Sequence, residues 1–151
     1  MIKVICVGKL KEKYWIEAVN EYLKRLSKYT KIELIELNDS KIDDPLISLK
    51  QEKDLILNKI SDKDYIITLE IEGKSLTSTE LAKKIESLTI QHSNLCFIIG
   101  GSNGIHEEIK SRSSLRLSFS TLTFPHQLFR VMFLEQLYRA YKINNNESYH
   151  K

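Results

Sequence analysis

A chain of 151 residues, 42% hydrophobic and 28% charged, can bury a core without metal or disulfide staples and is expected to form one domain over residues 1–151. Its formal net charge of +3 permits a polyanionic partner without demanding one, so any nucleic-acid surface must be local. No apolar run approaches the ~20 residues of a membrane span, and the histidines and carboxylates show no metal-ligand spacing.

The opening Ile2 to Val7 is an apolar run of strand length followed by Gly8, too short and strand-like for a secretory signal, so a cytoplasmic address is expected. Trp15, Val19, Tyr22, Leu26 and Tyr29 then recur at spacings of four and three, which predicts a helix with one face on a core. Ile32 to Leu37 alternates with period two and reads as a half-buried edge strand. Asn38 to Asp44 is turn-like, and Pro45 opens a second helix running to about Ile60. Tyr65 to Ile71 is a third strand, ending at Gly73, and Thr77 with Glu80 forms a capping box before a third helix. Leu95 to Gly100 is a buried strand, His106 to Ser113 a short helix, Leu115 to Phe119 a fifth strand, and a last helix runs from Pro125 to about Ile143. Cys6 and Cys96 fall inside apolar strands, far apart in sequence, and read as reduced core residues.

Strands alternating with helical crossovers imply an α/β domain built on a mainly parallel sheet flanked by helices. All five glycines, Gly8, Gly73, Gly100, Gly101 and Gly104, follow predicted strands. They therefore gather at the carboxyl ends of the strands, where open α/β sheets bind ligands. Gly8 and Gly73 are explained by tight turns alone, whereas GGSNG exceeds what one turn needs. That cluster lacks the spacing of a dinucleotide fingerprint and the lysine of a Walker loop. Backbone recognition of an adenine or nucleoside suits it better than phosphate clamping.

The runs LEIEGK, IIGGSNG and SFSTLTFPH, the pattern of Arg130, Glu135, Tyr138, Arg139 and Ala140, and the terminal Tyr149 and His150 resemble the bacterial large-subunit ribosomal RNA pseudouridine N3-methyltransferases. These belong to the knotted SPOUT methyltransferases, and the resemblance spans essentially the whole chain. It implies a C-terminal deep trefoil knot, which ordinary topology rules exclude. It also implies a homodimer with its sites at the subunit interface, bound S-adenosylmethionine, large-subunit rRNA within the ribosome as substrate, and no metal. The family's cofactor positions fall on Leu69, Gly100, Ser120, Thr121, Leu122, Thr123, Phe124 and Pro125. Leucines can cover an adenine, and the hydroxyl-rich loop offers hydrogen bonds, although the same hydroxyls also serve as helix caps.

Candidate catalytic residues are His126, Arg130, Arg139, Tyr149 and His150. His126 and Arg130 are four apart and share a helix face near the expected cofactor loop. Arg130 is expected to hold a phosphate or a uracil-like oxygen, its alternative being a helix-surface cation. Arg139 follows Glu135 by four, so an ion pair stands beside RNA contact as its reading. Composition alone assigns the polar tail from Asn144 to fraying, whereas the family pattern assigns Tyr149 and His150 to the substrate site. The last helix is apolar on nearly every side, which favours a dimer interface. Two rival readings stay open: a SPOUT enzyme methylating a ribose or another base, and a non-catalytic RNA-binding module using Lys24, Arg25, Lys28 and Lys31.

Overall fold

A computed structural model describes residues 1–151. The elements in chain order are β1 (Ile2–Val7), α1 (Lys13–Leu26), β2 (Ile32–Leu37), α2 (Pro45–Leu57), β3 (Asp64–Ser75), α3 (Ser78–Gln91), β4 (Asn94–Ile99), α4 (Glu107–Arg112), β5 (Leu115–Ser118) and α5 (His126–Asn144). They form one five-stranded sheet in the order β2-β1-β4-β3-β5, parallel throughout. The half-buried β2 lies at an edge, as its alternation predicts, while β1, buried along its whole length, and β4, buried from Leu95 on, are interior strands.

Strand alternation sends successive side chains to opposite faces. Val4, Cys6, Ile67, Leu69, Phe97 and Ile99 join residues of α1, α3 and α5 in one core. Ile5, Val7, Ile66, Cys96 and Ile98 join Ile56 of α2 and Ile109 of α4 in the other. The two cysteines thus face opposite layers, and burial pushes both thiols up to about 12.

Local chemistry sets the helix starts. Asp44 caps α2 ahead of Pro45 by accepting from the backbone N–H groups of Leu46 and Ile47. The Thr77–Glu80 capping box of α3 is closed in both directions, at 3.2 and 2.7 Å. His106, where the short fourth helix is expected to begin, caps α4, its Nδ1 accepting from the Glu108 N–H at 3.0 Å.

Strand β3 runs past Gly73 to Ser75, farther than the apolar run predicts. Leu69 and Lys74 both register with Leu117, so residues 70–73 bulge out of the ladder. A Cβ on Gly73 would lie 2.5 Å from the Leu117 carbonyl carbon, so glycine lets β5 pass close to the bulge.

The chain then takes an unusual path. Strand β5 pairs with β3 at the far edge, yet α5 packs against α1 and α3, and its first residue reaches Gly8 at the end of β1. Residues 119–125 must therefore cross the carboxyl ends of β3 and β4.

Candidate functional site at the carboxyl ends of β3, β4 and β5

The crossing segment, the β3 bulge and the glycine loop enclose a cleft of ≈ 380 Å³. Leu69 and Glu70 enter from β3, Gly100 to Ile105 from the loop after β4, and Phe119, Ser120, Leu122, Thr123 and Phe124 from the crossing segment. His126 and Phe129 close it from the first turn of α5. The rings of Phe119 and Phe129 meet at a tilt of 60° with their centroids 5.3 Å apart, giving the wall an aromatic corner.

Backbone closeness shapes this cleft. A Cβ on Gly100 would collide with the carbonyl oxygen of Gly104 and sit 2.8 Å from Ile105 Cγ1, so only glycine lets the loop fold back on itself. An antiparallel bridge between Gly101 and Gly104 holds that fold, with the Gly104 N–H donating to the Gly101 carbonyl at 3.0 Å. Across the cleft, Ser120 Oγ accepts from the Leu122 N–H at 3.0 Å, and Ser118 Oγ donates to the Ser120 carbonyl at 3.0 Å. These hydroxyls brace the crossing segment, which leaves its remaining backbone groups for a ligand.

Six of the eight expected cofactor positions line the cleft, namely Leu69, Gly100, Ser120, Leu122, Thr123 and Phe124. Thr121 and Pro125 are exposed outside it, and Pro125 serves as the N-cap position of α5. Sequence reasoning missed Glu70, Phe119 and Phe129. Glu70 comes into the wall because the bulge starts beside it. Its side chain is 4% exposed, Arg116 donates to Oε1 from both Nε and Nη2, and Oε2 is buried without a donor. Gly73 was the one sequence signal of this bulge.

The five expected catalytic residues divide. The His126 imidazole lies against Gly8, where a Cβ would be 3.5 Å from Nε2, and it faces the cleft. Arg130 shares its helix face but is neither a surface cation nor a cleft residue. It is 1% exposed, and its Nη1 and Nη2 donate to Glu36 Oε2 at 2.7 Å and to the Gly8 carbonyl at 2.9 Å. It fastens α5 to the ends of β1 and β2.

Arg139, Tyr149 and His150 form a second group about 20 Å farther along α5, at 1.5 Å of rise per residue. Arg139 makes the ion pair with Glu135 at 2.6 Å and also meets His150 Nδ1 at 3.2 Å. Tyr149 donates to the same Glu135 oxygen at 3.1 Å and stacks under the Arg139 guanidinium at 4.9 Å. A guanidinium only donates, so His150 Nδ1 accepts and its proton lies on Nε2. The tail is anchored rather than frayed, since Glu147 accepts from Tyr29 at 2.9 Å and from Lys142 at 2.7 Å. The same residue also pairs with Lys28 at 3.6 Å, while Arg25 pairs with Glu21 at 3.0 Å. Local partners thus engage half of the basic set on and beyond α1.

No group of three or more potential metal ligands occurs, and no helix is long and apolar enough to cross a membrane.

Comparison with known proteins agrees with this arrangement. Residues 1–150 match a family model described as "Predicted SPOUT methyltransferase". The chain is 52% identical over 157 residues to Ribosomal RNA large subunit methyltransferase H of Clostridium botulinum (strain Alaska E43 / Type E3), covering 99% of each. It is 50% identical over 157 residues to the protein of that name in Clostridioides difficile (strain 630), again covering 99% of each. Among solved structures, a probable methylase family protein from Haemophilus influenzae Rd KW20 superposes with a TM-score of 0.61 at 12% identity, over 99% of this chain and 70% of that one. That likeness is one of fold alone. The crossing of the sheet, the cleft and the full-length relatives lead to one conclusion: the chain belongs to the SPOUT methyltransferase family.

Proposed function

We propose that this protein is an S-adenosylmethionine-dependent methyltransferase that modifies N3 of a pseudouridine in large-subunit ribosomal RNA, acting as a homodimer in the cytoplasm. The observation that carries this reading is the crossing segment, whose hydroxyl loop faces the glycine loop across a cleft of ≈ 380 Å³. The same crossing supports a threaded, knotted chain, because β5 and α5 lie on opposite sides of β3 and β4. Relatives half identical over their whole length and named as large-subunit rRNA methyltransferases support the substrate class.

The residues of the cleft suit the cofactor. Leu69 and Leu122 offer apolar cover for an adenine, and Gly100 leaves the loop backbone open to close approach. When bound, S-adenosylmethionine supplies a methyl group on a cationic sulfonium.

The protein must bring the nucleophile into line and favour its deprotonated form, since a protonated imide nitrogen attacks poorly. Arg139 and the Nε2–H of His150 are both donors and suit the ring oxygens of that anion. Tyr149 keeps its proton, with its pKa pushed up to about 12 by burial and by Glu135. It is thus a donor and a stacking surface. His126, the imidazole in the cleft wall, is the group assigned to receive the imide proton.

The separation of the two groups along α5 supports the homodimer. About 20 Å is too far for one chain's tail to serve its own cleft. An antiparallel pairing of two α5 helices would bring the tail of one copy to the cleft of the other. One face of α5, with Arg130, Phe133, Leu134, Leu137 and Ala140, is buried, and every other residue of the helix is half-buried rather than exposed, as a helix awaiting a second copy on its outer face would be.

Isothermal titration with S-adenosylmethionine tests the cofactor, and absence of binding at millimolar concentration would refute it. Nucleoside analysis of ribosomal RNA from a deletion strain tests the target. Loss of an N3-methylated pseudouridine is expected, and loss of a methylated ribose instead would reassign the enzyme.

A further inference from the structure

The loop between β1 and α1 reads Gly8-Lys9-Leu10-Lys11-Glu12 and leaves the sheet at the end where the cleft opens. Lys9 and Lys11 are exposed and take part in no ion pair, unlike Lys28, Lys53, Lys110 and Lys142. This loop is held in place from beneath. The Leu10 N–H between the two lysines donates to Glu36 Oε2 at 2.9 Å, and Arg130 holds the same oxygen at 2.7 Å. The carbonyl of Gly8, next to Lys9, is fixed by Arg130 as well. Two cations are thus presented on a braced backbone that starts at Gly8, the residue against which the His126 imidazole lies.

Charge on the neighbouring loop confines the surface. Strands β1 and β2 run in register to Val7 and Leu37, so their loops leave side by side. The loop after β2 carries Asp39, Asp43 and Asp44 against a single Lys41, and a polyanion would be repelled there. A phosphate chain approaching the cleft is therefore favoured along the β1–α1 loop and on the His126 side.

We propose that Lys9 and Lys11 form a phosphate-binding surface that seats the backbone of the substrate RNA beside the cleft mouth, with Arg130 and Glu36 as the brace beneath it. The inference rests on the reading of the protein as an rRNA methyltransferase, and it identifies which part of the surface meets the RNA. Phosphate contacts fix register and orientation, and their signature is salt dependence, because each neutralised phosphate releases condensed counterions.

The test compares wild type with K9Q/K11Q and with the charge-matched K59Q/K63Q, whose lysines are exposed on the α2–β3 connection at the opposite end of the sheet. Binding to purified ribosomes from a deletion strain is measured over a potassium chloride series at fixed magnesium, with titration by S-adenosylmethionine alongside. For K9Q/K11Q, the plot of log affinity against log salt should become shallower by about 1.5, the contribution of two phosphate contacts. Affinity at low salt should fall roughly tenfold or more, and cofactor affinity should stay at the wild-type value. K59Q/K63Q should match wild type in all three. An unchanged slope in K9Q/K11Q, or an equal loss in K59Q/K63Q, overturns the proposal. Absence of cofactor binding in wild type would instead sink the functional reading while leaving the lysine-dependent slope to be judged by itself.

Discussion

Arg130 and Glu36 meet at 2.7 Å across 94 residues of chain, and the guanidinium that makes this pair is 1% exposed. Its second donor closes on the Gly8 carbonyl, while Nε is buried without an acceptor. A buried charge is tolerated only when paired, and removing one partner of such a pair is costly. This pair joins the last helix to the ends of the first two strands, so its role is to hold the crossing in place.

Replacing Arg130 with methionine should therefore lower stability in urea unfolding by about 1–3 kcal/mol, less than for a fully buried pair, because the Glu36 carboxylate left behind is 34% exposed. Arg130→Lys keeps a charge but loses the forked geometry that serves Glu36 and Gly8 together, and should fall between the two. An Arg130→Met protein as stable as wild type, yet unable to bind RNA, would return Arg130 to direct substrate contact.

Gly100 gives a sharper test of the cleft. An alanine there would drive its methyl into the Gly104 carbonyl, forcing open the Gly101–Gly104 bridge. Gly100→Ala should lower affinity for S-adenosylmethionine at least tenfold by calorimetry while circular dichroism stays native. Gly101→Ala, whose nearest obstacle is Val7 Cγ1 at 3.0 Å, should be milder. Equal affinity in Gly100→Ala and wild type would remove the glycine loop from cofactor binding.

Much of this was legible in the chain because the relevant signals are local. The edge position of β2 follows from its alternation, the start of α3 from Thr77 and Glu80, and the ligand end of the sheet from glycines placed after strands. What was not legible depends on contacts far apart in sequence. Helical spacing put Arg130 on the face of His126, but only the passage of α5 over β1 decides that one reaches the cleft and the other a buried carboxylate. The bulge that brings Glu70 into the wall arises from the pairing of Leu117 with both Leu69 and Lys74, which no periodicity encodes. Gly73 marked the place without saying what passed it. The anchoring of the tail was hidden in the same way, since Glu147 is held by Tyr29, 118 residues earlier.

Glu52 on α2 makes stability depend on pH. Burial raises its carboxyl above the ordinary 4.5, Asp39 adds to that shift, and the Ser40 backbone and Ser48 side chain oppose it by hydrogen bonding. The folded protein therefore holds this proton at pH values where the unfolded chain has released it. The resulting stability is complete below the unfolded value and is lost as pH rises through the raised folded value. Glu52→Gln removes the titration. Urea midpoints should show wild type losing stability relative to Glu52→Gln as pH rises above the ordinary carboxyl range. Parallel curves for the two proteins would show that the carboxyl titrates normally.

Tyr149 separates a donor from a base. Its hydroxyl donates to Glu135, and both burial and that carboxylate push its pKa up to about 12. The phenol stays neutral across the working range and cannot take the imide proton at neutral pH. Its ring lies under Arg139 at 4.9 Å and edge-on to Tyr138 at 5.0 Å. Tyr149→Phe keeps the ring and loses one hydrogen bond to a charged acceptor, so methyl transfer to ribosomes should fall about tenfold with an unaltered pH–rate profile. Tyr149→Ala also removes the stacking that orients Arg139 and should fall by a further tenfold or more. Cofactor affinity should be unchanged in both, because Tyr149 is assigned to the target base and is not among the residues that line the cofactor cleft. If Tyr149→Phe abolished an ionisation from the rate profile, the phenol would be the proton acceptor, and the part given to His126 would pass to the tail.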